Sequence, residues 1–211
     1  MKNSIKNKIN EGMTLLELLV VLAIFGILST VVIFNYGNFQ SEIYIKNLAS
    51  DIALQVVTAQ KSAVYGLLPS QSYSLGWKPS YGVYFSTVSS LGADNKDFIY
   101  FTDLNSDGKF DGSSCPATTG ECISKYTITN NNSISNISVA CPSPAGACVA
   151  GTITNLAITF TRPDSGATFY NSVLGVLPAN VSYVEITIIS SADGKTTSSI
   201  DLYPSGRVQI N

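Results

Sequence analysis

The sequence predicts an α+β protein, in which one long N-terminal helix, apolar in its first half and amphipathic in its second, packs on an antiparallel β-sheet head. Three observations carry this. An apolar run lies near the N-terminus, an apolar repeat at three- and four-residue steps follows it, and from Ser80 onward the apolar residues fall into short runs separated by turn chemistry. A helix followed by a succession of strands points to segregated layers rather than alternating βαβ units. The 211 residues suffice for about one domain.

Composition removes several function classes. Charged residues make up 12% of the chain, where about 25% is usual, so the polar surface is mostly uncharged, the texture of an exported protein. With 12 Lys and Arg against 14 Asp and Glu, no excess of cations is present to neutralise a phosphate backbone, and nucleic acid is not the default partner. Histidine is absent, which excludes Ser-His-Asp triads, His-ligated zinc and imidazole acid/base chemistry.

Taken in order, Lys2, Lys6 and Lys8 against Glu11 make the first twelve residues basic. The run from Met13 to Phe34 follows at once, 22 residues with one charge, Glu17. At about 1.5 Å per residue such a helix crosses a hydrocarbon core of about 30 Å. Lysines on one side of it predict a cytoplasmic N-terminus. A secretory signal peptide is the alternative, but its apolar segment runs about 7–15 residues and ends at a small-x-small site. An acidic side chain inside a membrane helix costs about 2.5–3.5 kcal/mol at the centre, so Glu17 calls for a partner.

The stretch Gly12-Met13-Thr14-Leu15-Leu16-Glu17-Leu18-Leu19-Val20-Val21 resembles the type IV pilin and type II secretion pseudopilin superfamily, whose precursors share a basic leader, a Gly, and an apolar helix with Glu fifth after the cleavage point. The resemblance implies cleavage between Gly12 and Met13 by a membrane aspartic prepilin peptidase, N-methylation of Met13, and pairing of Glu17 with the new α-ammonium of a neighbouring subunit. It further implies other pilin or pseudopilin subunits and an inner-membrane assembly platform as partners. Pairing agrees with the physics, since a buried carboxylate is tolerable in hydrocarbon only when paired. Two features depart from the family pattern: Met13 replaces the commoner Phe, and no proline interrupts the helix near Phe34. Gly26 and Gly37 remain as places for close helix packing or local melting. The organisation expected is a leader over 1–12, a transmembrane and assembly helix over 13–37, and a periplasmic or extracellular head over 38–211.

In residues 38–65, Ile45, Leu48, Ile52, Val56, Ala59 and Ala63 recur at helical spacing, with Glu42, Lys46, Asp51 and Lys61 on the polar side. Gly66 and Pro69 stop the helix. The strands expected are Tyr81–Thr87, Phe98–Thr102, Tyr126–Thr129, Ile134–Val139, Ile153–Thr161, Ala167–Tyr170, Val184–Ser190 and Ile200–Ile210. Pro163-Asp164-Ser165-Gly166 and Asp193-Gly194 read as hairpin turns, and Tyr203-Pro204-Ser205-Gly206-Arg207 closes the last hairpin. Within the superfamily the helix, the YGVYF strand, the aspartate loop and the terminal PSGR turn look most like minor pseudopilins of the H type.

The loop Asp103-Leu104-Asn105-Ser106-Asp107-Gly108-Lys109-Phe110-Asp111 places oxygen ligands at alternate positions with Gly sixth, the spacing that wraps a loop around Ca²⁺. Asp103, Asn105, Asp107 and Asp111 would offer side-chain oxygens and Lys109 its carbonyl. The twelfth position holds Ser114 rather than a bidentate Glu, so another carboxylate is needed, Glu121 or Asp97 being nearest. An Asx-rich turn closed on its own hydrogen bonds is the equal alternative. Four cysteines form two copies of C-P-x-x-x-G-x-C. Matching spacing and internal Pro and Gly favour local disulfides, Cys115–Cys122 and Cys141–Cys148, with crossed pairing next. A Cys₄ zinc site is the rival, but the spacings exceed the usual two to four residues.

The function expected is therefore a structural subunit, minor or at the tip, of a pilus or pseudopilus, held in the inner membrane by residues 13–34 before assembly and catalysing nothing. A membrane-anchored surface adhesin and a DNA-capturing pilin are the alternatives, with an anchored enzyme last because only the aspartate loop clusters acidic groups.

Overall fold

The computed structural model describes residues 13–69, 80–112, 115, 120–143 and 146–211, without the side chains of residues 34, 35 and 38. Among the described residues, one helix, α1 (Leu15–Tyr65), precedes eleven strands. The chain divides into two compact units between Gln40 and Ser41.

In the first unit α1 is apolar on every side. Leu15–Ile33 has a mean hydropathy of 2.7 and none of its residues is buried. Leu15, Phe25 and Ile33 are among its exposed large side chains. This stretch is long and apolar enough to cross a membrane. Thr30 Oγ1 donates to the carbonyls of Gly26 and Ile27, so the Thr30 hydroxyl is satisfied within the helix.

In the second unit the apolar repeat turns one face of α1 inward. Ile45, Ala49, Ile52, Val56, Ala59 and Ala63 are buried, with Leu48 packed at the edge. Each fully buried Ile or Val on this face contributes about 1.5–3 kcal/mol. The helix stops where the sequence predicts. Gly66, at φ +62°, donates to Ala63 O, and Leu67 N donates to Ser62 O, the paired bonds of a Schellman cap that needs a residue free to adopt positive φ. Tyr81 Oη donates to Leu67 O at 2.7 Å and Tyr100 Oη to Ser62 Oγ at 2.9 Å, fastening this end of the helix to the sheet.

Two antiparallel sheets complete the unit. The first has six strands in the order β3 (Cys122–Thr127), β2 (Asp97–Asp103), β1 (Ser80–Ser86), β6 (Asn155–Thr161), β7 (Ala167–Asn171), β8 (Gly175–Val176). The second has five, in the order β11 (Val208–Ile210), β10 (Thr197–Leu202), β9 (Tyr183–Ile189), β4 (Ser133–Ala140), β5 (Gly151–Ile153). The expected α+β arrangement is therefore present, with two sheets where one was expected. The apolar run Ile153–Thr161 is the reason: it breaks at Thr154, which leaves β5 in one sheet and β6 in the other.

The faces are set by register. Val83 and Phe85 of β1, Leu156, Ile158 and Phe160 of β6, Val184, Ile186 and Ile188 of β9, and Ile200 and Leu202 of β10 share the core with α1. In β4 a bulge between Ile134 and Asn136 inserts Ser135, which lets Ile134 and Ile137 both face inward despite their odd spacing. The opposite face of the six-stranded sheet has its own cluster, Tyr84, Ile99, Phe101 and Ala157 against Phe110 of the β2–β3 loop. Strand β1 is thus buried on both faces.

Candidate functional site

The start of α1 follows from a local device that the expectation about Glu17 did not include. Thr14 Oγ1 accepts the Glu17 N–H at 3.2 Å and Leu18 N donates to Thr14 O, so Thr14 caps the helix with Glu17 in its first turn. Thr-x-x-Glu is a capping-box spacing, readable from the sequence. The cap fixes where the helix begins, at Leu15, two residues after Met13, and sets Glu17 beside the positive end of the helix dipole. Met13 is 61% exposed. Gly12 lies outside the described residues.

The aspartate loop closes on itself. Asp103 extends from the end of β2, and its two carboxylate oxygens accept Asp107 N (3.3 Å) and Gly108 N (2.9 Å). Gly108, at φ +79°, makes the sharp turn that lets both N–H groups point inward. Asn105 Nδ2 donates to Asp107 Oδ2 and Asp111 Oδ2. Lys109 Nζ lies 3.0 Å from Asp107 Oδ2 and 3.3 Å from Asp111 Oδ1. Glu121, expected as a candidate from beyond the loop, does reach it: Oε1 accepts Leu104 N and Oε2 accepts Asp111 N at 2.8 Å. Asp97, the other candidate, is engaged elsewhere, with Lys125 at 2.7 Å and the Asp94 N–H.

Electrostatically the loop is tense at its base. Burial pushes the Glu121 carboxyl up to about 7, opposed by its two backbone N–H bonds and reinforced by Asp103 and Asp111. Burial likewise raises Asp103 against its own N–H bonds. Among the described residues no group of three or more His, Cys, Asp or Glu side chains is placed to hold a metal ion. The arrangement fits an Asx-rich loop in which Lys109 bridges Asp107 and Asp111, and a calcium ion would have to displace the Lys109 ammonium and turn the Asn105 amide.

Cys115 pairs with Cys122 and Cys141 with Cys148, at Cα separations of 5.3 and 5.7 Å. The first ties the loop that carries Phe110 to the start of β3. The second closes the connection between β4 and β5. With an eight-residue ring, each would restrict the unfolded chain by about 2–3 kcal/mol.

An apolar, capped N-terminal helix leading to a disulfide-clipped helix-and-sheet head has the build of a pilin-like subunit. The family described as the prokaryotic N-terminal methylation motif matches residues 7–33, which supports a place in the type IV pilin and pseudopilin superfamily and indicates a structural subunit rather than an enzyme. That motif implies processing by prepilin peptidase and assembly with other pilin subunits, and with the apolar helix it fits a precursor anchored in the inner membrane. No curated protein and no solved structure matches the chain.

Proposed function

We propose that this chain is a structural subunit, minor or at the tip, of a type IV pilus or type II secretion pseudopilus, cleaved after Gly12 and N-methylated at Met13. The methylation motif over residues 7–33 carries the reading. The H-type minor pseudopilins are the subgroup it most resembles. Cleavage would place a new α-ammonium four residues before Glu17, at the capped end of an apolar helix. Glu17 of one subunit then pairs with that ammonium on its neighbour, which removes two charges from hydrocarbon together and sets the axial register. Calcium enters as an exchangeable occupant of the aspartate loop in place of the Lys109 ammonium, stiffening the head without taking part in chemistry.

Two variants test the processing and assembly steps separately. Gly12→Val should leave full-length precursor in the membrane, since a side chain there crowds the extended backbone that a peptidase must grip. Glu17→Val should mature normally and incorporate into filaments at roughly a tenth of the wild-type level or less, about 1.4 kcal/mol of lost pairing. Normal maturation of Gly12→Val in cells carrying the peptidase would overturn the reading.

A further inference from the structure

We propose that Thr14 is a positioning residue for the processing step: by capping α1 it holds Met13, the residue on the leaving side of the cut, outside the helix. The inference rests on the prepilin reading and concerns what makes the cut possible. Helix α1 begins at Leu15. Met13 and Thr14 precede it without helical structure, and Met13 is 61% exposed. Two bonds from one residue set this boundary. Thr14 Oγ1 accepts the Glu17 N–H at 3.2 Å, and Thr14 O accepts the Leu18 N–H at 3.2 Å. The carbonyl bond is the first rung of the helical ladder, which any residue type can make. The hydroxyl bond requires a short side chain that carries an acceptor.

The boundary matters because of what hydrolysis asks of the backbone. Water adds to the Gly12 carbonyl carbon, the C–N bond breaks, and the Met13 nitrogen leaves with a proton. That carbonyl must therefore be free for water and for the donors that stabilise its developing negative charge. In an α-helix the carbonyl of residue i accepts the N–H of residue i+4, so a helix begun two residues earlier would commit the Gly12 carbonyl to the Leu16 N–H. Little else in the sequence forbids the earlier start. Met13 is a good helix former, and glycine is accepted at the N-cap about as well as threonine. Thr14 decides between the two registers, because Glu17 three residues on completes the capping-box spacing for the later start. A β-branched residue is also a poor choice within a helix. The same side chain thus favours the start at Leu15 and disfavours the one that would bury the bond to be cut. The later register also keeps Glu17 in the first turn, where the helix dipole favours its charge.

The test uses the full chain in detergent micelles with a prepilin-type aspartic peptidase, following the initial rate of cleavage by mass spectrometry. In parallel, the Cα shift of ¹³C-labelled Met13 reports whether that residue is helical. Thr14→Val keeps the branched shape and removes the acceptor. It should be cut about fivefold more slowly, the factor a lost cap is worth, with the Met13 shift moved toward the helical value. Thr14→Ser and Thr14→Asn keep an acceptor and should be cut within about twofold of the wild-type rate, with Met13 still non-helical. An unchanged rate for Thr14→Val would overturn the proposal. So would slow cleavage of Thr14→Asn with Met13 non-helical, since the peptidase would then be touching the hydroxyl itself. A wild-type chain left uncut would overturn the prepilin reading and this inference together, whereas a cut wild type with an indifferent Thr14→Val leaves that reading standing.

Discussion

Asp193 shows how a single side chain specifies a turn. Its Oδ1 accepts Lys195 N at 3.1 Å and Thr196 N at 3.0 Å, while the other oxygen accepts the Thr196 hydroxyl. These bonds, that from the hydroxyl foremost, hold the carboxyl down at about 2, below its ordinary 3.8. A depressed acid stabilises the fold above its ordinary value and loses that contribution as the pH falls through the folded one. Acid should therefore loosen the β9–β10 hairpin between about pH 3.8 and 2. The carboxylate carbon of Asp193, followed by NMR, should titrate near 2 in the folded protein; a midpoint near 4 would contradict the geometry. The Asp193-Gly194 turn was legible in sequence because turn chemistry is local. Glu121 could be named only as a candidate, because what brings it to the aspartate loop is the pairing of β2 with β3, which no spacing encodes. That Asp201 of β10 stands opposite Glu185 of β9 was hidden for the same reason, since it depends on the register of two strands.

Among the elements, α1 was the most legible, because its apolar repeat and Gly66 are both short-range signals. The strands were legible as runs and much less so as sheets. Gly82 illustrates the difference: YGVYF reads as a strand, but only the fold explains the glycine. A Cβ there would meet Ile158 O at 2.4 Å and the Phe101 ring at 2.6 Å, so β1 can lie between β2 and β6 only without a side chain at this position. Gly82→Ala should destabilise the head by about 1–3 kcal/mol, read as a lowered melting temperature, and an unchanged one would contradict the packing. The aspartate loop makes a second prediction at this scale. Calcium at about 100 times its dissociation constant should stabilise the full chain by about 2.7 kcal/mol, and Asp107→Ala should abolish that rise while leaving the calcium-free fold intact. No heat of binding and a melting temperature indifferent to millimolar calcium would leave Lys109 as the loop's only cation.

At the scale of the whole molecule, the two units divide the work. The apolar unit carries Met13 and Glu17, within the stretch that the methylation motif matches, and that motif was legible because it is local sequence. The head carries two disulfides and a closed aspartate loop, whose meaning lies in tertiary contacts that one sequence does not display. The central claim is that the chain is a prepilin-type precursor, and it is tested most directly by mass spectrometry of the protein recovered from cells that express the processing peptidase. The mature chain should begin at Met13 with one methyl group on its α-amine and should carry the Cys115–Cys122 and Cys141–Cys148 links. An intact chain beginning at Met1, or cleavage elsewhere without methylation, would contradict it.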